Sequence, residues 1–302
     1  MAKPRSPLSR WLTRHLAYPL EGALVGLFAA AFRARTLDQA SALGGRIARA
    51  LGPRLPGHRT ARRNLTRVFP EKTPAEIDAI LIGMWDNLGR VIAEYPHLEA
   101  LGRVGPDTRV EIVGMEHIEA LRDDGVGGIL VSGHLGNWEV PPAILRTLGI
   151  EPSVVYRAPN NPIVARMLSD FRGAVSPLQF PKGANGARQL IRHLSHGGHV
   201  GMLVDQKMND GISVPFFGRD AMTAPAAMQL GLRLGIPIAP TRTERLSGAY
   251  FRLTVLPPME PPDTGDRNAD IRILAERMNR QLETWIRERP EQWLWTHRRW
   301  PD

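Results

Sequence analysis

Downstream of Arg109 the chain alternates short β-branched runs with helical patterns, and that alternation leaves few architectures open. Strands joined by crossover helices pair in parallel and need an apolar layer on each face, so the chain reads as α/β. The runs predict strands over 110–113, 128–132, 153–156, 200–204, 236–241 and 250–255. Helices are expected near 138–148, 163–171, 184–196, 225–234 and 268–288. The fold class is a mixed, mostly parallel central sheet flanked by helices. Upstream, residues 38–101 carry a helical pattern punctuated at Gly52-Pro53, Pro56-Gly57 and Pro70, with a helix opening near Thr73-Pro74.

The N-terminus stands apart. Lys3, Arg5, Arg10 and Arg14 precede an apolar stretch from Leu16 to Phe32 that only Glu21 interrupts, and Arg33 and Arg35 close it. No small-residue cleavage pattern leads into a convincing mature start, so the segment is expected to stay in the protein. Its uncharged core, 22–32, is about half of the ~20 apolar residues that a spanning helix needs. Leu16, Leu20, Leu24, Leu27, Phe28 and Ala31 fall on one helical stripe with cationic flanks, which suits a membrane-touching helix; an ordinary buried helix is the alternative. The expected division is therefore 1–36, a membrane-associating helix, and 37–302, the catalytic domain.

A formal charge of +9 over 302 residues attracts phosphate-rich partners, whether nucleic acid, an anionic lipid surface or an acidic carrier protein. With four Tyr and eight Phe, stacking platforms for single strands are few, and no nucleic-acid-binding signature is present, so nucleic acid falls behind membrane. Zero cysteines exclude a thiol nucleophile and a disulfide framework.

Residues 127–139, Gly-Gly-Ile-Leu-Val-Ser-Gly-His-Leu-Gly-Asn-Trp-Glu, read as a buried strand that ends in small residues and turns into a helix. His134 and Glu139 lie five residues apart, ~140° around a regular helix, so they meet only if His134 sits on the turn and Glu139 reaches back. In that geometry Glu139 accepts the Nδ1 proton and leaves Nε2 as a general base. A helix N-terminus would favour neutral imidazole, and N–H groups of the turn would face a developing oxyanion. The C-terminal end of an α/β strand is where such sites gather.

The stretch Ser132-Gly133-His134-Leu135-Gly136-Asn137-Trp138-Glu139 resembles the His-x4-Asp/Glu box of the late lipid A acyltransferases, the lauroyl and myristoyl transferase family. Further blocks agree in order and spacing: Arg63-Asn64-Leu65 with Phe69-Pro70; Val155-Tyr156-Arg157 with Asn161-Pro162; Val204-Asp205-Gln206; Val214 to Gly218; Thr223-Ala224-Pro225; and Pro290 to Trp300. The resemblance spans nearly the whole chain. It implies a catalytic pair of His134 and Glu139 supported by Arg172 and Asp205, with acyl-acyl carrier protein as co-substrate, a lipid A precursor as acceptor and no metal or cofactor. It also implies the inner (cytoplasmic) membrane, with the catalytic domain facing the cytoplasm and an anionic membrane surface as partner.

Arg157 and Arg172 either clamp substrate phosphates or serve as structural ion-pair partners. Asp205, beside Gln206, either holds His134 or a site arginine or caps a turn. Phe216 and Phe217 offer an apolar wall for an acyl chain or pack as core. Arg62, Arg63 and Arg67 face headgroups, a carrier protein or plain solvent.

Rival readings are acylation of another glycolipid, a lysophospholipid or an ornithine-type lipid, and a non-catalytic basic membrane-binding protein. His193, His196 and His199 raise a metal site, but mostly outward-facing positions and no companion carboxylate or Cys pattern make it a weak one.

Overall fold

In the computed structural model the described residues are 6–300 without 104, 106 and 107, and the side chains at 7, 8 and 10 are not among them. Lys3, Arg5 and the Arg10 side chain, three of the expected cationic flanks, therefore lie outside the described residues.

The chain enters through α1 (Pro7–Leu12), a π-helical stretch (Thr13–Ala17) and α2 (Tyr18–Arg33). A helical layer follows: α3 (Leu37–Leu51), α4 (Pro56–Val68), α5 (Pro74–Glu94) and the short α6 (Leu98–Leu101). Capping boxes open α3 and α5, Thr36 with Gln39 and Thr73 with Glu76, each satisfying two orphan N–H groups reciprocally. The second is the helix opening expected at Thr73-Pro74.

Next come β1 (Val110–Val113), α7 (Met115–Asp123), β2 (Gly128–Ser132), α8 (Val140–Thr147), β3 (Pro152–Tyr156), α9 (Pro162–Gly173), β4 (Leu178–Pro181), α10 (Ala184–Ser195) and β5 (His199–Leu203). The hairpin β6 (Ile212–Phe216) and β7 (Arg219–Thr223), α11 (Ala226–Leu234), β8 (Ile238–Ser247), β9 (Tyr250–Val255) and α12 (Arg267–Glu288) complete it. The seven-stranded sheet runs β1-β9-β8-β2-β5-β3-β4. From β8 to β4 every pairing is parallel, whereas β8 and β9 are antiparallel. The mixed, mostly parallel sheet is the architecture expected.

Strand alternation sorts the side chains into two apolar layers. Ile129, Val131 and Val200 face a core shared with α10, α11 and α12; Leu130 faces one shared with α7 and α8. Three strands and α7 were not foreseen. Among them, β6 and β7 close over Phe217 (φ 51°) and Gly218 (φ 67°), a two-residue turn with both residues left-handed, as a tight hairpin requires.

Along the π-helical stretch and α2 the stripe Leu16, Leu20, Leu24, Leu27 and Phe28 faces outward, each at least 49% exposed. The other side rests on the body of the protein. A Cβ on Gly22 would overlap Ile163 of α9, and Asn161 Nδ2 donates at 2.9 Å both to the Tyr18 carbonyl and to Glu21 Oε2. Glu21, though solvent-exposed, is thus drawn towards Asn161 at the start of α9, and the outward stripe itself is free of acid. The helical stretch Thr13–Arg33 is long and apolar enough to cross a membrane, which makes it a candidate membrane-associating segment.

Candidate active site

Two neighbouring strand ends build the site. β2 and β5 pair in parallel with Ser132 opposite Leu203, so the second residue past each strand, His134 and Asp205, arrive side by side. The pairing continues one step further, with the Val204 N–H donating to the Ser132 carbonyl at 2.9 Å. Asp205 Oδ1 then lies 2.7 Å from His134 Nδ1, and Oδ2 accepts the His134 backbone N–H, also at 2.7 Å. Trp293 Nε1 donates to the same Oδ2 at 2.7 Å.

Asp205 is fully buried, a placement that costs several kcal/mol unless the charge is paired and hydrogen-bonded. Burial pushes its carboxyl up, but the His134 ring, acting through space and by hydrogen bond with His297 nearby, outweighs that and holds it below the usual carboxylate range. Because Asp205 accepts from Nδ1–H, the lone pair of His134 sits on Nε2. Gln206 Nε2 is 3.3 Å from that nitrogen, and Trp138 stands edge-on to the ring at 5.0 Å between centroids.

Glu139 does not reach His134, which corrects the expected pairing. Its two oxygens take the Arg172 guanidinium: Nε at 3.0 and 2.9 Å, and Nη2 at 2.6 Å from Oε1. Tyr95 donates its hydroxyl to Oε1 at 2.6 Å and accepts from Arg172 Nη2 at 2.8 Å. Burial and the adjacent Glu139 charge raise the Tyr95 hydroxyl far above its ordinary range, so it stays a donor. Burial draws Arg172 down, but Glu139 more than compensates and its guanidinium is held charged. Arg172 is accordingly an ion-pair partner, not a free phosphate clamp.

The reason lies in the turn. α8 begins at Val140, six residues past His134, with Pro141 and Pro142 in its first turn. Gly136 sits at φ 55°, where a Cβ would meet the Thr243 carbonyl oxygen at 2.3 Å. The segment between is irregular, so His134 is not at a helix N-terminus. Four of the turn's N–H groups are already taken: those of His134, Leu135, Gly136 and Glu139 go to Asp205 Oδ2, the Gly133 carbonyl, the Gln292 carbonyl and Asn137 Oδ1.

A buried polar network fixes this turn from behind. Asn137 Nδ2 donates to Glu94 Oε2 at 2.7 Å, and Glu94 forms a bidentate pair with Arg245 at 2.6 and 3.0 Å. Arg245 Nε reaches Asn87 Oδ1 at 2.9 Å, and Asn87 Nδ2 returns to the Gly136 carbonyl at 2.9 Å. The C-terminal tail closes the far side, where Leu135 bridges to Trp293 and the Leu294 N–H donates to the His134 carbonyl. Asn64 anchors that tail through the carbonyls of Trp295 and His297.

His134, Glu139, Arg157, Arg172 and Gln206 all line a cavity of about 990 Å³. Its walls are largely apolar, with Pro142 and Leu145 over one face of the sheet and Leu190 and Leu230 over the other. Arg157, Lys182, Lys207 and Arg233 line it as exposed cations with no ion-pair partner among the described residues; Asp210 is on the same lining. Phe216 and Phe217 do not line it. Phe216 is fully buried against Trp293 and Trp300, and Phe217 forms the hairpin tip, its N–H donating to Glu283 Oε1 at 2.7 Å.

The three clustered histidines diverge. His193 Nε2 faces the His199 carbonyl, His196 Nδ1 the Arg192 carbonyl and His199 Nε2 the Leu121 carbonyl; His199, past the Gly197-Gly198 break, is buried at the start of β5. Arg62 pairs with Asp78.

Sequence reasoning passed over Trp293, Tyr95 and the Asn87–Glu94–Arg245 network. Trp293 lies within a block that carries the family resemblance, but nothing in its spacing shows that the indole N–H meets Asp205. Tyr95 carries no local signal.

A carboxylate-held histidine at a strand end, open to a largely apolar cavity, defines an α/β protein equipped for proton transfer beside an apolar ligand. The chain is a member of the bacterial lipid A biosynthesis acyltransferase family, whose model matches residues 8–302. It is 27% identical to the lipid A biosynthesis myristoyltransferase of Escherichia coli (strain K12) over 256 residues, 83% of this chain and 76% of that one. To the lauroyltransferase of the same strain it is 28% identical over 252 residues, 78% and 76% of the two chains. A phosphatidylinositol mannoside acyltransferase of Mycolicibacterium smegmatis is 25% identical over 295 residues, 93% of each.

Proposed function

We propose that this acyltransferase moves a fatty acyl chain from an acyl carrier protein thioester to a hydroxyl of a lipid A precursor, with His134 as general base. The observation that carries this reading is the 2.7 Å contact of His134 Nδ1 with buried Asp205, which leaves Nε2 basic on the wall of the cavity. Nε2 takes the acceptor's hydroxyl proton, and Asp205 stabilises the imidazolium that forms. The oxygen attacks the thioester carbonyl, the C–S bond breaks as the tetrahedral species collapses, and the departing thiolate takes the proton back from Nε2. With the N–H groups of His134, Leu135, Gly136 and Glu139 committed, side-chain donors at Gln206 and Arg157 serve the developing oxyanion.

The exposed cations Arg157, Lys182, Lys207 and Arg233 give the cavity a rim for phosphate, on the acceptor sugars or on the carrier's phosphopantetheine arm. The outward apolar stripe at the N-terminus supports an anionic bilayer surface as the setting, which in this reading is the inner membrane with the catalytic body in the cytoplasm. A second reading, another phosphorylated glycolipid as acceptor, draws support from the mannoside acyltransferase that matches over 93% of both chains.

The test is mass spectrometry of total lipid A from cells with and without the gene, complemented by wild type or His134→Ala. Wild type restores one secondary acyl chain and His134→Ala does not. An unchanged lipid A profile with an altered glycolipid moves the acceptor to the second reading, and full complementation by His134→Ala removes the base.

A further inference from the structure

β5 is the fifth of seven strands and carries helices over both faces, a setting that calls for bulky β-branched side chains throughout. At its centre stands Gly201. The register lines up Leu130, Gly201 and Val154 across three adjacent strands, on the face that α8 covers. A Cβ built on Gly201 would have only the Ser153 carbonyl oxygen at 3.8 Å and Val154 Cγ1 at 3.9 Å within 4 Å. Both are ordinary van der Waals contacts, so neither backbone strain nor crowding accounts for the missing side chain.

A half-buried glycine at the centre of an inner strand, with open space above it, marks a place where something other than the protein's own side chains is accommodated. Gly201 lines the same cavity as His134, with Leu130, Pro142, Leu145 and Val154 around it. It stands two residues below the Ser132–Leu203 pair at the strand ends, roughly 7 Å deeper at the rise of a β-strand. A chain whose carbonyl is held at His134 and that descends along this face passes over Gly201.

We propose that Gly201 sets the length of acyl chain the enzyme transfers: the apolar channel between the sheet and α8 holds the donor chain, and the absent side chain at 201 is what gives the channel its depth. The channel on the other face, walled by Leu190 and Leu230, is left for the acyl chains of the acceptor. The proposal rests on the acyl-transfer reading and adds to it which face holds the donor chain and which residue limits it.

Full-length protein is assayed with acyl carrier protein loaded with a graded series from octanoyl to palmitoyl, comparing wild type, Gly201→Ala, Gly201→Val and Leu230→Trp, each checked by thermal melting. Each methylene denied burial lowers kcat/KM about fourfold. Gly201→Val is expected to shift the preferred donor to shorter chains, lowering the longest one at least tenfold while sparing octanoyl transfer. Gly201→Ala shifts it less in the same direction, and carries the test if the valine variant does not fold. Leu230→Trp leaves the donor profile in place. An unmoved profile in both Gly201 variants, an equal loss at every length, or a shift confined to Leu230→Trp overturns the assignment. No transfer by wild type from any donor would instead remove the acyl-transfer reading, and this inference with it.

Discussion

The Asp205 carboxylate binds His134 twice, through the ring at Nδ1 and through the backbone N–H, so one buried side chain sets both the tautomer and the position of the imidazole. The two contacts need the two strand ends in register, which ties the chemistry of the site to the β2–β5 pairing.

Asp205→Asn tests the tautomer. An amide accepts from Nδ1–H with its oxygen, or donates to Nδ1 with its nitrogen and moves the ring proton to Nε2, where it blocks the base. Transfer is expected to fall by about three orders of magnitude or more, with KM little changed, as for other oriented imidazole bases. Asp205→Ala should in addition lower stability by about 2–5 kcal/mol, since the His134 and Trp293 donors are left buried without partners. Near-wild-type turnover in Asp205→Asn would show that another group orients the ring.

Glu139 has the opposite profile. Its carboxylate is 5% exposed and carries the Arg172 guanidinium, itself 17% exposed, so Glu139→Ala leaves a buried charge uncompensated. Chemical denaturation should show a loss of about 3–5 kcal/mol. Replacing both partners with apolar residues, Glu139→Leu with Arg172→Met, is expected to recover most of that stability. A Glu139→Ala variant that is as stable as wild type yet inactive would give the carboxylate a direct part in the chemistry, as the sequence reading supposed.

The fold was legible to the extent that local pattern decides it. The short run Gly128–Ser132, flanked by glycines on both sides, suits a strand buried on both faces, and three strands, β1, β2 and β9, begin and end where the local pattern puts them. The hairpin β6–β7 escaped because Pro215 and the Phe217-Gly218 turn conceal a strand pair. In the site, His134 was legible from strand-turn context, but its partner was not. Spacing along the chain favoured Glu139, five residues away, whereas the register between two strands delivers Asp205, 71 residues on. Nothing in a single sequence specifies that register.

His297 makes stability depend on pH. Burial pushes its imidazole down to about 4, from 6.5 in the unfolded chain. Below pH 6.5 the unfolded state therefore binds a proton that the folded state refuses, so stability falls as pH drops from about 6.5 towards 4, by up to about 3 kcal/mol. Asp205, held low when folded, contributes stability that is lost only at more acidic pH, below the unfolded carboxyl value. Urea midpoints measured across this range should slope for wild type and flatten between 6.5 and 4 in His297→Phe. Equal slopes in the two proteins would assign the acid sensitivity elsewhere.

The orientation of α2 carries the last prediction. Asn161 holds the Tyr18 carbonyl and Glu21, Gly22 meets Ile163, and further along Arg33 lies over the Phe171 ring at 5.7 Å, so the helix is docked against α9 from one end to the other. A helix with one side fixed to the protein offers the bilayer only the other side, which here is Leu16, Leu20, Leu24, Leu27 and Phe28. It should therefore lie in the interface plane rather than cross it. The chain has no cysteine, so single cysteines introduced at 16 and 28 can carry spin labels without background. In anionic vesicles both labels are expected at the same depth, although they are about 18 Å apart along the axis. Depths that differ by most of that distance would mean that the helix leaves α9 and spans. Leu20→Glu with Leu24→Glu and Leu27→Glu should release the protein from the vesicles by about three orders of magnitude in partitioning, at roughly 1.5 kcal/mol or more for each leucine withdrawn, and Glu21→Gln should leave it bound.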